Sequence, residues 1–171
     1  MELTKKERTI KYVVYVVIIA VLSLLQNVGG LWFEIGGARC FFLIPAAVLL
    51  SLDEDEKTAA LIGLFAGLLW DITAAHHMGF NCLFIMVSCY IMSVLVTHLF
   101  RATFWVGTVG AVLFTFLYVL IYWLIFVLIK GGDGSGVAFF NFYLPSFFYT
   151  AVMTVVMNIA FVPLKRKLNK A

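Results

Sequence analysis

From Phe104 to Ile129 the chain runs 26 residues without a charged side chain. A run of that length spans about 39 Å as a helix, more than the roughly 30 Å of a bilayer's hydrocarbon core. In hydrocarbon no water can satisfy the backbone, so a helix or a closed barrel must do so internally. Strands of a barrel would alternate apolar and polar residues, and these runs are continuously apolar, which selects helices. The whole chain follows suit. Of its 171 residues 64% are hydrophobic and 12% charged, where a soluble domain has about half and about a quarter.

Six apolar segments are predicted, over about 12–32, 36–52, 58–75, 79–99, 104–129 and 142–164. The fold class is all-α integral membrane, a six-transmembrane-helix bundle forming one domain over residues 1–171. In the first segment Tyr12 and Trp32 suit the two interfacial belts. The basic start, Lys5, Lys6, Arg8 and Lys11, followed by an apolar run resembles a signal peptide. No small-residue cleavage site follows it cleanly, so it is read as a retained first helix. The second segment is short for a span, and Pro45 should kink it or mark its first turn. With six spans, ten of the twelve Lys and Arg residues fall on the side of the termini, and only Arg39 and Lys130 on the other. The positive-inside rule then puts both termini in the cytoplasm.

The net charge of +3 sits where lipid head groups would meet it, so nucleic acid is not an expected partner. Cys40, Cys82 and Cys89 form no CxxC pair and read as small apolar residues. His76 and His77 lack the acid or His spacing of a metal site. Gly134-Ser135-Gly136 is a flexible loop rather than a nucleophile elbow. No enzyme activity, cofactor or metal is expected.

The third segment carries Ala59, Gly63, Gly67 and Asp71 in steps of four, hence on one helix face. Glycines four apart let another backbone come close, and the stripe is expected to hold a partner's transmembrane helix. On that reading Gly67→Leu would weaken partner capture more than insertion. Asp71 lies about 20 Å from Thr58 along the helix, where a carboxylate costs about 2.5–3.5 kcal/mol unless it faces protein or water. Two roles are open to it: accepting hydrogen bonds from the start of the next helix, around Gly79 to Asn81, or serving as an ion or proton site. Thr154 and Asn158 can bond across helices. The run Asp53-Glu54-Asp55-Glu56 reads as a solvated turn or a docking site for a partner. His98 and Arg101 suit a helix C-terminal end. The aromatic crowd from Phe139 to Tyr149 suits lipid contact or a protein surface.

The stretch Gly63 to Leu83, GLFAGLLWDITAAHHMGFNCL, resembles the signature of the rod shape-determining protein MreD family. Gly67 and Asp71 match its G-x-x-x-D part, Met78 and Gly79 its second part, and Asn81 lies near a commonly polar position. Pro45 also looks like that family's pattern, although Ala46 stands where members often carry Asp or another polar residue. The resemblance implies a non-enzymatic membrane subunit of the bacterial cell-elongation machinery, in the bacterial inner membrane. Its partners would be MreC, the actin-like MreB, RodA and a penicillin-binding protein, and its work would be rod shape and peptidoglycan synthesis. Gly63, Gly67, Asp71, Gly79, Asn81 and Pro45 would be its packing residues. The alternative is a small-molecule transporter subunit, similar to the vitamin-binding S component of energy-coupling-factor transporters, which would need a polar pocket open outward.

Overall fold

The computed structural model describes residues 5–27, 34–35, 38–74, 79–129 and 135–169. Helix α1 covers Lys5–Asn27, α2 Leu43–Ser51, α3 Glu56–Ala74, α4 Phe80–His98 and α5 Phe104–Tyr122. The short α6 is Ser135–Ala138, and α7 is Leu144–Leu168. Two-residue strands, β1 (Glu34–Ile35) and β2 (Ala38–Arg39), pair antiparallel with Glu34 opposite Arg39. The helices of the described residues form a membrane-protein bundle, in which Lys5–Asn27, Phe80–His98, Phe104–Leu128 and Phe139–Leu168 are each long and apolar enough to cross a bilayer.

Helix α2 is the hub. All nine of its side chains are buried, and it packs against α1, α3, α4, α5 and α7. At nine residues it is about 14 Å long, too short to cross alone, so the single helical span expected over 36–52 is corrected. The segment is broken instead: the strand Ala38–Arg39 and the non-helical residues 40–41 lead to Phe42, already in the right-handed helical region, and a short helix. At about 3.3 Å per extended residue the two pieces together reach about 30 Å. Pro45 is the third residue of α2, in the first turn, where a missing N–H costs no helical bond.

Extended backbone inside a lipid-immersed bundle must find acceptors within the protein. The N–H groups of Arg39 and Phe41 donate to Ser146 Oγ and Thr150 Oγ1 of α7, each at 3.0 Å. Alternate strand residues and helix residues four apart both advance about 6–7 Å, so the two repeats keep step. The N–H of Leu43 donates to Gln26 Oε1 of α1 at 3.0 Å. Ser146, Thr150, Thr154 and Asn158 are all buried along one face of α7.

The fifth and sixth segments also differ from plain α-helices. α5 continues as a π-helical stretch, Trp123–Leu128, and α7 is preceded by another, Phe139–Tyr143. A π turn takes an extra residue and re-aims the side chains beyond it. Trp123 then meets Phe139 with ring centroids 4.9 Å apart, and Phe126 meets Phe80 at 5.2 Å.

Candidate functional site

The residues singled out in the stretch 63–83 converge on the contact between α3 and α4, the most extensive helix pair of the bundle. A Cβ on Gly63 would lie 2.6 Å from Ile85 O and 2.8 Å from Met86 Cα. One on Gly67 would press on Cys82 Cα and lie 2.7 Å from Asn81 O. The two helices therefore touch backbone to backbone, as small residues allow in membranes. This corrects the expectation that the stripe holds a partner's helix: α4 of the same chain fills it. Gly67→Leu would accordingly disrupt the bundle itself before any partner.

Asp71, only 3% exposed, closes the end of this hairpin at the turn between the two helices. Its Oδ2 accepts from the N–H of Gly79 and of Cys82, both at 3.0 Å. Helix α4 begins beside it, and the free N–H groups of a helix start favour a negative charge. Gly79 caps α4 with φ +94°, a left-handed conformation that costs side-chain-bearing residues about 1–2 kcal/mol. Oδ1 of Asp71 is buried and without a partner among the described residues. Asn81, also 3% exposed, accepts from Tyr118 OH at 2.7 Å and so ties α4 to α5. His76, His77 and Met78 lie outside the described residues.

At the end of the bundle that carries the termini, the acidic run is a turn with Asp53 and Asp55 exposed, as expected of a solvated turn, but its Glu54 is buried and the run clasps neighbouring helices. Glu54 is buried with its Oε1 2.5 Å from Lys11 Nζ of α1. The two opposite charges, both buried, form an ion pair. Tyr12 OH donates to the other oxygen at 3.3 Å, and Ser93 Oγ of α4 donates to Glu54 O at 2.8 Å. Asp53 pairs with Lys165 of α7 at 2.6 Å, and Lys165 also donates to Leu49 O at 2.9 Å. Asp55 caps α3: the Thr58 hydroxyl and N–H donate to its carboxylate at 2.7 and 3.3 Å. The Thr58 hydroxyl holds the Asp55 carboxyl below its ordinary range. Glu56 meets His98 at 3.3 Å on the surface. Four consecutive acidic residues thus reach α1, α3, α4 and α7, a division of labour that their sequence does not reveal.

Asn158 bonds across helices as expected, donating to Phe104 O at 2.9 Å and Thr108 Oγ1 at 2.7 Å on α5. The Thr154 hydroxyl turns back on Thr150 O of its own helix, because a helical threonine reaches the carbonyl four residues earlier without leaving its rotamer. Ser146 and Thr150, the acceptors for the extended segment, are missed by sequence reasoning. Their i, i+4 spacing within an apolar helix is the available signal. Of the aromatic crowd, Phe147 packs on Phe116 with centroids 5.3 Å apart, whereas Phe140 and Phe148 remain exposed.

Between the far ends of the helices lies a cavity of about 360 Å³, lined among others by Gln26, Arg39, Trp70, Asn81, Tyr118 and Tyr143. Trp70 and Tyr118 stand 5.1 Å apart at its aromatic wall. Gln26 Nε2 is buried without a partner among the described residues. The Asn81 carbonyl is occupied by Tyr118, which leaves its NH₂ as the group it can offer. Among the described residues no group of three or more His, Cys, Asp or Glu could hold a metal ion.

These features define a helical, multi-pass membrane protein with a locked α3–α4 hairpin and a polar cavity at one end. No family model, curated protein or solved structure matches the chain.

Proposed function

We propose that this chain is a non-enzymatic scaffold subunit of the bacterial cell-elongation complex, resident in the cytoplasmic membrane as six crossing segments with both termini inside. One observation carries the reading: Gly63, Gly67, Asp71 and Gly79, the residues of the MreD-like stretch, all serve one device, the α3–α4 hairpin. A likeness spread over unrelated positions would have no such common use. The charge asymmetry of ten against two supports the orientation. The broken second segment, about 30 Å long in all, supplies the sixth crossing. Because the glycine seam is spent within the bundle, a partner's helix would meet an outward apolar face, such as Val152, Val156 and Ile159 of α7, all exposed. MreC, MreB, RodA and a penicillin-binding protein are the expected partners. Affinity purification from native bacterial membranes tests this. Recovery of MreC and the wall synthase is expected, and recovery of an importer's ATPase module in their place would overturn it.

A second reading, capture of a small molecule in the manner of a transporter's S component, is favoured by the 360 Å³ cavity and by Gln26 Nε2, which has no partner among the described residues. Pockets of about 300–1,000 Å³ suit small ligands. Native mass spectrometry of the purified protein decides it: a stoichiometric retained compound supports capture, and bare protein counts against it.

A further inference from the structure

A second cavity, of about 420 Å³, lies at the opposite end of the bundle, between the start of α5 and the last turns of α7. Asp53, Thr103, Phe104, Asn158, Lys165 and Arg166 line it. We propose that it binds the headgroup of an anionic phospholipid, with the phosphate against Arg166 and a headgroup hydroxyl on Asn158.

The charge inventory selects an anion. Asp53 and Lys165 neutralise each other at 2.6 Å. Arg166 makes no ion pair or hydrogen bond with any described residue, so one guanidinium is left over, and guanidinium matches phosphate geometry. Asn158 is 4% exposed and has committed both its bonds through Nδ2. Its Oδ1 receives no donor from the described residues and can accept one, which a headgroup hydroxyl supplies and a bare phosphate does not. The cavity's rim adds to this. Thr103 caps α5 in extended backbone without a side-chain bond to the first turn, its hydroxyl donating instead to Arg101 O. The first N–H groups of α5 thus receive no side-chain cap, and such groups favour negative charge.

The source is a lipid because of what lies next to the cavity. Trp105, which follows the cavity-lining Phe104, is 71% exposed and Val109 62%, one turn apart on α5, so an apolar strip runs along the helix from the residue next to the cavity lining. A phosphate at the start of α5 would lay its acyl chains on that strip, with Trp105 at the interfacial depth tryptophan prefers. A basic pocket between helix ends beside head groups is the usual form of such a site.

The test titrates delipidated full-length protein with phosphatidylglycerol and, separately, phosphatidylcholine, followed by native mass spectrometry. A preference of about fivefold or more for phosphatidylglycerol is expected, from about 1 kcal/mol for one basic residue near a head group. Arg166→Gln should abolish the preference, Arg166→Lys should retain most of it, and Arg8→Gln on exposed α1 surface should leave it unchanged. Equal binding of the two lipids would overturn the proposal, as would a preference that survives Arg166→Gln. Displacement of the lipid by millimolar inorganic phosphate would replace the lipid with a soluble anion. Matching melting temperatures of the variants and the parent ensure that lost preference is not lost structure.

Discussion

Gly67→Ala adds a single methyl group, yet it should be among the most damaging small changes available to this chain. The added carbon would meet backbone, the Asn81 O at 2.7 Å and the Cys82 N at 2.8 Å, and backbone cannot swing aside as a side chain can. Restoring an ordinary carbon contact of about 3.5–4.0 Å requires α3 and α4 to part by about 1 Å. Overpacking of that kind costs about 1–3 kcal/mol. The same displacement acts on Asp71, four residues along, whose two bonds to Gly79 and Cys82 measure 3.0 Å. Stretched by about 1 Å they leave hydrogen-bond range, and each bond to a charged group is worth about 1.5–3 kcal/mol. The expected loss is therefore at least about 4 kcal/mol, a large part of the roughly 5–15 kcal/mol that holds a folded protein together. Gly136→Ala, where an added Cβ meets nothing within 4 Å, is the control. Thermal unfolding in mild detergent, read by aggregation or by fluorescence of a fused reporter, measures both. A Gly67→Ala protein that melts with the parent would refute the backbone-contact reasoning.

Lys11→Met should cost about 3–5 kcal/mol by leaving Glu54 buried and unpaired, and adding Glu54→Gln should restore most of it; an additive double variant in the same melt would sink the pairing. Thr150→Val keeps the side chain's shape but removes the acceptor for the Phe41 N–H, for an expected loss of about 1–3 kcal/mol and faster hydrogen exchange at Phe41. Asp55 gives a pH dependence. Its carboxyl is lowered from an ordinary 3.8 by the Thr58 hydroxyl, so the unfolded chain binds its proton first as pH falls. The stabilisation is complete above the ordinary value and is lost as pH drops through the lowered folded one. Thr58→Val should flatten that part of the acid limb in melts taken below pH 5, and an unchanged limb would count against the cap.

The membrane character, the helical class and the approximate places of most helices are properties of the sequence alone. They depend on run length and hydropathy, which are local quantities, and lipid forces any apolar run to close its own hydrogen bonds. The exceptional value of Gly63, Gly67 and Asp71 was legible for the same reason, since small residues and a carboxylate at helical spacing have few uses in hydrocarbon. Which neighbour they serve was not. Helical spacing names a face and says nothing of what covers it, and here the cover is α4, brought there by the left-handed turn at Gly79. The breaking of the second segment was equally hidden, because its extended residues are tolerated only where Ser146 and Thr150, more than a hundred positions away, accept their N–H groups. The acidic run shows the limit most clearly. Four adjacent carboxylates read alike in sequence, and the fold alone gives them different fates, because charge pairing depends on distances that chain order does not set.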